Sequence, residues 1–169
     1  GICSEVSSTM NPIDIRAATP SDVPRILELI TALAIYEKEP DAVVATEHDL
    51  HTALFDDNAR AHAVLCDIGD TNVGFALYFY NFSTWRGKHG IFLEDLFVEP
   101  EHRGKGAGLA LLKYLAKKAV SEGCERFEWN VLDWNTPSIE FYESVGAVAM
   151  SEWIGYRLCG TALTEFAAS

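Results

Sequence analysis

Hydrophobic and polar positions change period several times along the chain, and each change marks an element. "IDIRAA" (13–18) alternates apolar and polar residues, as a half-buried strand does. From Thr19 the period lengthens. Val23, Ile26, Leu27, Ile30, Leu33 and Ala34 recur at helical spacing, with Thr19 as N-cap, Pro20 at the first helical position and Asp22 in the first turn. Pro40 ends that helix, and "TEHDLHTALF" (46–55) predicts a shorter one capped by Thr46. Three strand-like stretches follow: "AHAVLCDI" (61–68), "NVGFALYFYNF" (72–82) and "GIFLEDLFV" (90–98). "IGDTN" (68–72) has hairpin chemistry, and "STWRGKHG" (83–90) makes a longer exposed connection. "GLALLKYLAKKAVSEG" (108–123) predicts an amphipathic helix closing on lysines and Gly123. "RFEWNVLDW" (126–134) predicts a strand and "NTPSIEFYESVG" (135–146) a helix ended by Gly146. "AVAMSEWIGYRLC" (147–159) predicts one or two last strands, and the tail "GTALTEFAAS" carries no signal.

The order β-α-α-β-β-β-α-β-α-β-β, without repeat, linker or low-complexity tract, predicts one α/β domain over 12–169. Its sheet is mixed, with hairpins in the middle and helical crossovers on either side. Residues 1–11 read as a disordered arm or tag remnant, with Met10 a candidate natural start.

Composition narrows the class. Of 169 residues, 49% are apolar, enough for a sizeable core, and no apolar run approaches the roughly 20 residues of a membrane span. "GICSEVSSTM" has neither a basic start nor an apolar centre, so no secretory leader is read there. The formal charge is −12, from 13 basic and 25 acidic residues. Such a surface repels nucleic acid and suits a cationic or neutral small substrate, although solubility alone also explains it. Cys3, Cys66, Cys124 and Cys159 form no CxxC pair, and His48, His51, His62, His89 and His102 form no metal-ligand pattern, so no metal is expected. A reduced, cytoplasmic setting is the default reading.

The chemistry concentrates in "LEDLFVEPEHRGKGAGLALL" (93–112), where a strand passes through glycines and basic residues into a helix. Backbone N–H groups at a helix N-terminus favour an anion, glycine lets the backbone approach phosphate, and Arg103 and Lys105 add cationic donors. A tight turn with solvated charges explains the composition equally well. A P-loop ending at Gly104-Lys105 needs glycine at 99 and Ser or Thr at 106, where the chain has Glu99 and Gly106. A Rossmann loop starting at Gly104 needs glycine at 109, which is Leu109.

R-x-x-G-x-G, carried by Arg103, Gly106 and Gly108 after "EDLFVEPEH", resembles the pyrophosphate loop of the GCN5-related (GNAT) N-acetyltransferases, which bind acetyl-coenzyme A. The similarity runs from 13 to about 158. "YFYNFSTWRGK", "FLEDLFV", "RGKGAG" and "VLDWNTPSIEFYESVGA" resemble its small-amine branch, the spermidine/spermine and thialysine N-ε-acetyltransferases. "STW" and "LDWN" stand nearer the thialysine type. The resemblance implies a central twisted mixed sheet flanked by about four helices, with strands 90–98 and 126–132 splayed to admit the pantetheine arm. It also implies a small amine substrate and a homodimer, with no membrane or nucleic-acid partner.

By the same resemblance, the backbone of Leu96, Phe97 and Val98 pairs with the pantetheine amides, and Arg103, Gly104, Lys105, Gly106, Ala107 and Gly108 hold the pyrophosphate. Asn135, Ser138 and Tyr142 share a face of their predicted helix by three- and four-residue steps. In the resembled family the Asn and Ser contact the pantetheine arm and the Tyr protonates the departing sulfur. Glu94 is implied as the base, acting through water, with Asp95 holding the amine. On an ideal strand, consecutive Glu94 and Asp95 face opposite sides. Tyr36 and Glu37, at the end of the first helix, match residues near the acceptor amine, as do Glu128, Trp129 and Asn130. Trp85 offers an apolar wall for the acceptor or an oligomer contact.

Taken without the resemblance, Tyr142 is an ordinary core residue beside Phe141, Glu94 a salt-bridge partner and Tyr36-Glu37 a frayed helix end. Polyamine enzymes of the branch carry acids where this chain has Ser83, Thr84, Trp153 and Ile154, so a lysine-like acceptor with one distal amine is expected, its carboxylate met by Arg86 or Lys88. Spermidine or spermine, an aminoglycoside, a protein N-terminus or a protein lysine remain rival acceptors. A non-catalytic acetyl-coenzyme A-binding module is the rival of a different class, and it predicts loss of acid and base.

Overall fold

The computed structural model describes residues 12–169, so the reading of 1–11 as an arm lies outside the described residues. The chain divides into two compact units, one ending at Asn130 and the other spanning Val131–Ser169.

In the first unit, β1 (Ile13–Ala17), β2 (His62–Ile68), β3 (Thr71–Ser83), β4 (Lys88–Val98) and β5 (Phe127–Trp129) form one sheet in chain order. β1 to β4 run antiparallel, and β5 joins β4 in parallel. A parallel neighbour requires a crossover, supplied here by α3 (Ala107–Ser121). On one face, Val23, Ile26 and Leu29 of α1 (Val23–Tyr36) and Leu50 and Leu54 of α2 (Glu47–Phe55) bury against Ala63, Leu65, Phe75, Leu77 and Phe97. Alternate sheet residues enter this cluster, as a period of two demands. The buried stripe of α3 (Ala107, Leu111, Leu112, Leu115, Ala119) follows helical spacing and packs on the sheet without joining that cluster.

Several expected boundaries move. Thr19 heads a short 3-10 turn over Pro20–Asp22, and the α-helix proper starts at Val23. That helix closes at Tyr36, ahead of Pro40, through a left-handed Lys38 (φ 65) whose N–H bonds the Ile35 carbonyl at 3.1 Å. β5 has three residues where nine were expected, because its ladder with β4 stops at Leu93–Trp129.

In the second unit, α4 (Thr136–Ser144) is capped by Asn135, whose Oδ1 accepts from the Ser138 N–H at 3.4 Å, and is closed by Gly146 at φ 96. The last strands expected over 147–159 are absent: the segment has no regular structure, and its Tyr156 is 94% exposed. A strand is defined by the neighbour it pairs with, and this segment pairs with none among the described residues. The tail read as featureless forms α5 (Gly160–Ala168), giving five α-helices among the described residues where about four were expected. No helix of the described residues is long and apolar enough to cross a membrane.

Candidate active site

β4 is where the first unit departs from a regular sheet. Leu77 pairs with Asp95 and Tyr78 with Leu93, so Glu94 is an extra residue bulged out of the ladder. A bulge breaks the alternation that would have sent Glu94 and Asp95 to opposite faces. The consequence is electrostatic: Glu94 and Glu37 both act on Asp95, whose carboxyl is pushed up to about 6, first by burial and then by those two charges. Burial and then Glu94 also raise Glu37. Glu37, Glu94 and Asp95 therefore form one anionic neighbourhood, built from the end of α1 and the bulge of β4.

An acid whose folded pKa is raised holds its proton more tightly in the folded state than in the unfolded chain. Its charge destabilises the fold above pH 6, and that cost fades as pH falls toward the ordinary carboxylate range. Asp95→Asn, a neutral mimic, is therefore expected to raise Tm by roughly 3–6 °C at pH 8. The advantage should shrink to about half near pH 5 and vanish only as pH falls below the ordinary value of 3.8. Thermal unfolding of both proteins at the two pH values checks this, and equal Tm values at pH 8 would contradict it.

The same bulge sits where β5 ends. Beyond the bulge, residues 95–98 of β4 keep β3 on one side and have no strand on the other among the described residues. Trp129, ring-packed with Phe127 at 5.0 Å, marks the end of the parallel ladder, and Leu96, Phe97 and Val98 lie along the open edge. Next comes the glycine turn. Gly104 (φ 80) and Gly106 (φ 87) occupy the left-handed region, and Gly106 caps the N-terminus of α3. The exposed helix start thus follows directly on the open strand edge.

The other expected residues have their own surroundings. Arg103 turns back from the loop: its Nε donates to the Val98 carbonyl at 3.1 Å, and its guanidinium lies 4.9 Å from the Tyr36 ring centre. Lys105 Nζ lies 3.2 Å from His102 Nδ1. Glu128 accepts from Asn81 Nδ2 at 3.2 Å and lies 3.4 Å from Arg126 Nε. Trp85 is 87% exposed at the tip of the β3–β4 hairpin. Lys88 and Glu94 are six residues apart on β4, about 20 Å, so Trp85 stands far from the three carboxylates of its own chain. Arg86, a candidate for the acceptor's carboxylate, is paired with Glu125. The buried Ser83 hydroxyl accepts from the Arg86 N–H at 3.2 Å, closing the hairpin turn. Glu99, Glu101 and His102 bring possible metal-ligand atoms together, but Glu99 is already paired with Arg25 at 2.8 Å.

Sequence reasoning missed that pairing. Arg25 also binds Asn72 through its side chain (2.9 Å) and its carbonyl (3.0 Å), tying α1 to the strand–loop junction that precedes the glycines. No motif signals it, because its members lie 47 and 74 residues apart. In the second unit, Asn135, Ser138 and Tyr142 lie on α4 or its cap at the expected spacing, with the Phe141 and Tyr142 rings 5.6 Å apart.

Residues 26–147 match the acetyltransferase (GNAT) family. The thialysine N-epsilon-acetyltransferase of Sus scrofa is 37% identical, over 94% of this chain and 99% of that protein. The L-ornithine N5-acetyltransferase NATA1 of Arabidopsis thaliana is 34% identical, over 88% of this chain and 85% of its own length. Among solved structures, an integron cassette protein from the mobile metagenome of V. cholerae superposes with a TM-score of 0.79 at 29% identity, covering 93% of this chain and 98% of that one.

Proposed function

Since the chain belongs to the acetyltransferase (GNAT) family and acts as an amine N-acetyltransferase, we propose that its acceptor is a lysine-like amino acid whose distal primary amine is acetylated. The observation that carries this reading is the carboxylate trio of Glu37, Glu94 and Asp95 beside the open edge of β4. An ammonium is drawn to such a cluster, and its arrival relieves the repulsion from Glu94 and Glu37 that adds to burial in raising Asp95. Two relatives lend support through their names, which specify thialysine and L-ornithine, both amino acids with a distal amine. By the resemblance, polyamine enzymes of the branch carry an acid for a second ammonium where this chain has Ser83, whose hydroxyl closes the hairpin turn; about 20 Å from the trio of its own chain, that position bears on the acceptor only across a homodimer.

Family members use acetyl-coenzyme A as co-substrate. The residues present suit it. Among the described residues the β4 edge has no strand to pair with beyond Leu93, and Gly106 leaves the start of α3 bare. At Gly108 an added Cβ would meet only Val98 Cγ2 at 4.0 Å, so packing gives no reason for glycine there and close approach by a ligand does. Leu96, Phe97 and Val98 would hold the pantetheine arm and the 103–108 loop the pyrophosphate, while Asn135 and Ser138 keep the pantetheine contacts that the resemblance implies.

Acetyl-coenzyme A supplies the acetyl group as a thioester. The acceptor ammonium, with a pKa near 10.4, must lose a proton before its nitrogen can attack the carbonyl carbon. Glu94 takes that proton through water, while Asp95 and Glu37 hold the amine. Tyr142 gives its phenolic proton to the sulfur as the carbon–sulfur bond breaks, and regains one from solvent. No covalent enzyme intermediate is required. The exposed apolar residues Trp153, Ile154 and Tyr156 support a homodimer, since a second copy would cover them. Sedimentation at a single 18.7 kDa species would remove that part. For the reaction itself, free thiol should appear from acetyl-coenzyme A only when an amine is added, and amine-independent release or none at all would overturn the reading.

A further inference from the structure

The Arg103 side chain spans two regions with separate tasks. It leaves the loop after the 3-10 turn Pro100–His102, and its Nε is fixed to the Val98 carbonyl at the end of β4. From there the guanidinium reaches the ring of Tyr36, the last residue of α1, at 4.9 Å, and that of the buried Phe97 at 5.6 Å. A flat cation over two aromatic rings is an attractive, directional contact, and a lysine cannot reproduce its planar face.

The end of α1 has reason to need holding. Lys38 adopts φ 65 without being glycine, a conformation that costs an L-residue energy. Its N–H and that of Glu39 bond back to Ile35 (3.1 Å) and Ala34 (2.9 Å) to close the helix. Between Tyr36 and Lys38 sits Glu37, whose charge acts on Asp95. Letting Tyr36 swing would therefore move one of the three acceptor-side carboxylates.

We infer that Arg103, besides any contact with pyrophosphate, is a positioning residue for the acceptor: by packing on Tyr36 it holds the Tyr36–Glu37 end of α1 against the bulged carboxylates of β4. This rests on the acceptor site proposed above. The cofactor loop and the acceptor site then share one side chain, and displacing the loop loosens both.

Two donors separate the roles. S-Acetylpantetheine has the thioester and no pyrophosphate, so a defect that persists with it does not come from a lost phosphate contact. Arg103→Met is expected to raise the thialysine KM about tenfold with both donors, with kcat changed by less than about threefold. Arg103→Lys, which keeps the charge but loses the flat face, should show most of the same rise. Tyr36→Leu should match Arg103→Met, and the double variant should be no worse than either. An acceptor KM equal to wild type with acetylpantetheine, with the defect confined to the KM for acetyl-coenzyme A, would overturn the inference. Amide hydrogen exchange gives a readout free of turnover. The Lys38 and Glu39 amides should exchange about tenfold faster in Arg103→Met while the central sheet is unchanged. Unchanged exchange there contradicts the inference. If the wild type turns over neither donor, the functional reading fails and the exchange result still decides this one.

Discussion

Tyr142→Phe is expected to lower kcat at pH 7 by about 10²-fold while leaving both KM values within about threefold, as loss of a positioned general acid does. The step affected is departure of the thiolate. A thiol of pKa about 8.5 is a fair leaving group, so departure without an acid is slow but not forbidden, and the deficit should shrink toward pH 9. Phenylalanine keeps the ring and its contact with Phe141, so α4 and its Asn135 cap should be undisturbed. Steady-state kinetics with acetyl-coenzyme A and thialysine from pH 6 to 9 measure both the loss and its slope. A loss below about fivefold at pH 7 would remove Tyr142 from the acid role.

Glu94→Gln is expected to lower kcat/KM for the amine by about 10²-fold at pH 7, with a changed pH profile. Without the carboxylate the enzyme depends on amine already deprotonated in solution, so activity should climb about tenfold per pH unit toward the amine pKa near 10.4. A second consequence follows from the charges around the bulge. After burial, the Glu94 charge is the next cause raising both Asp95 and Glu37, so glutamine should let both carboxyls titrate lower. Carboxyl chemical shifts across pH 4–7 would register that independently of turnover. Parallel pH profiles for variant and wild type, with a small loss, would mean that the proton leaves by another route.

Elements with a strong local period were legible from sequence. The apolar stripe of α1, the Thr46 cap of α2 (its Oγ1 accepts from the Asp49 N–H at 3.1 Å) and the glycine-to-helix turn at 106 all report on neighbours a few residues away. What pairing decides was less so. The apolar content of 147–159 suggests a strand, but a strand is made by pairing, and residue types alone do not say whether a segment pairs. The bulge at Glu94 had a faint signal, two adjacent carboxylates inside an apolar strand, yet assuming strict alternation kept them on opposite faces. The motif around Arg103 is local and speaks only of the loop. The contact of Arg103 with Tyr36 joins residues far apart in the chain, and no spacing rule reaches that far.

The most direct test of the lysine-like acceptor compares kcat/KM for thialysine and spermidine under identical conditions, following free thiol from acetyl-coenzyme A. With Ser83 holding a turn amide in place of an acid, thialysine is expected to lead by at least about tenfold, roughly one lost ionic contact. A ratio favouring spermidine would contradict it, and would assign the trio of Glu37, Glu94 and Asp95 to a polyamine instead.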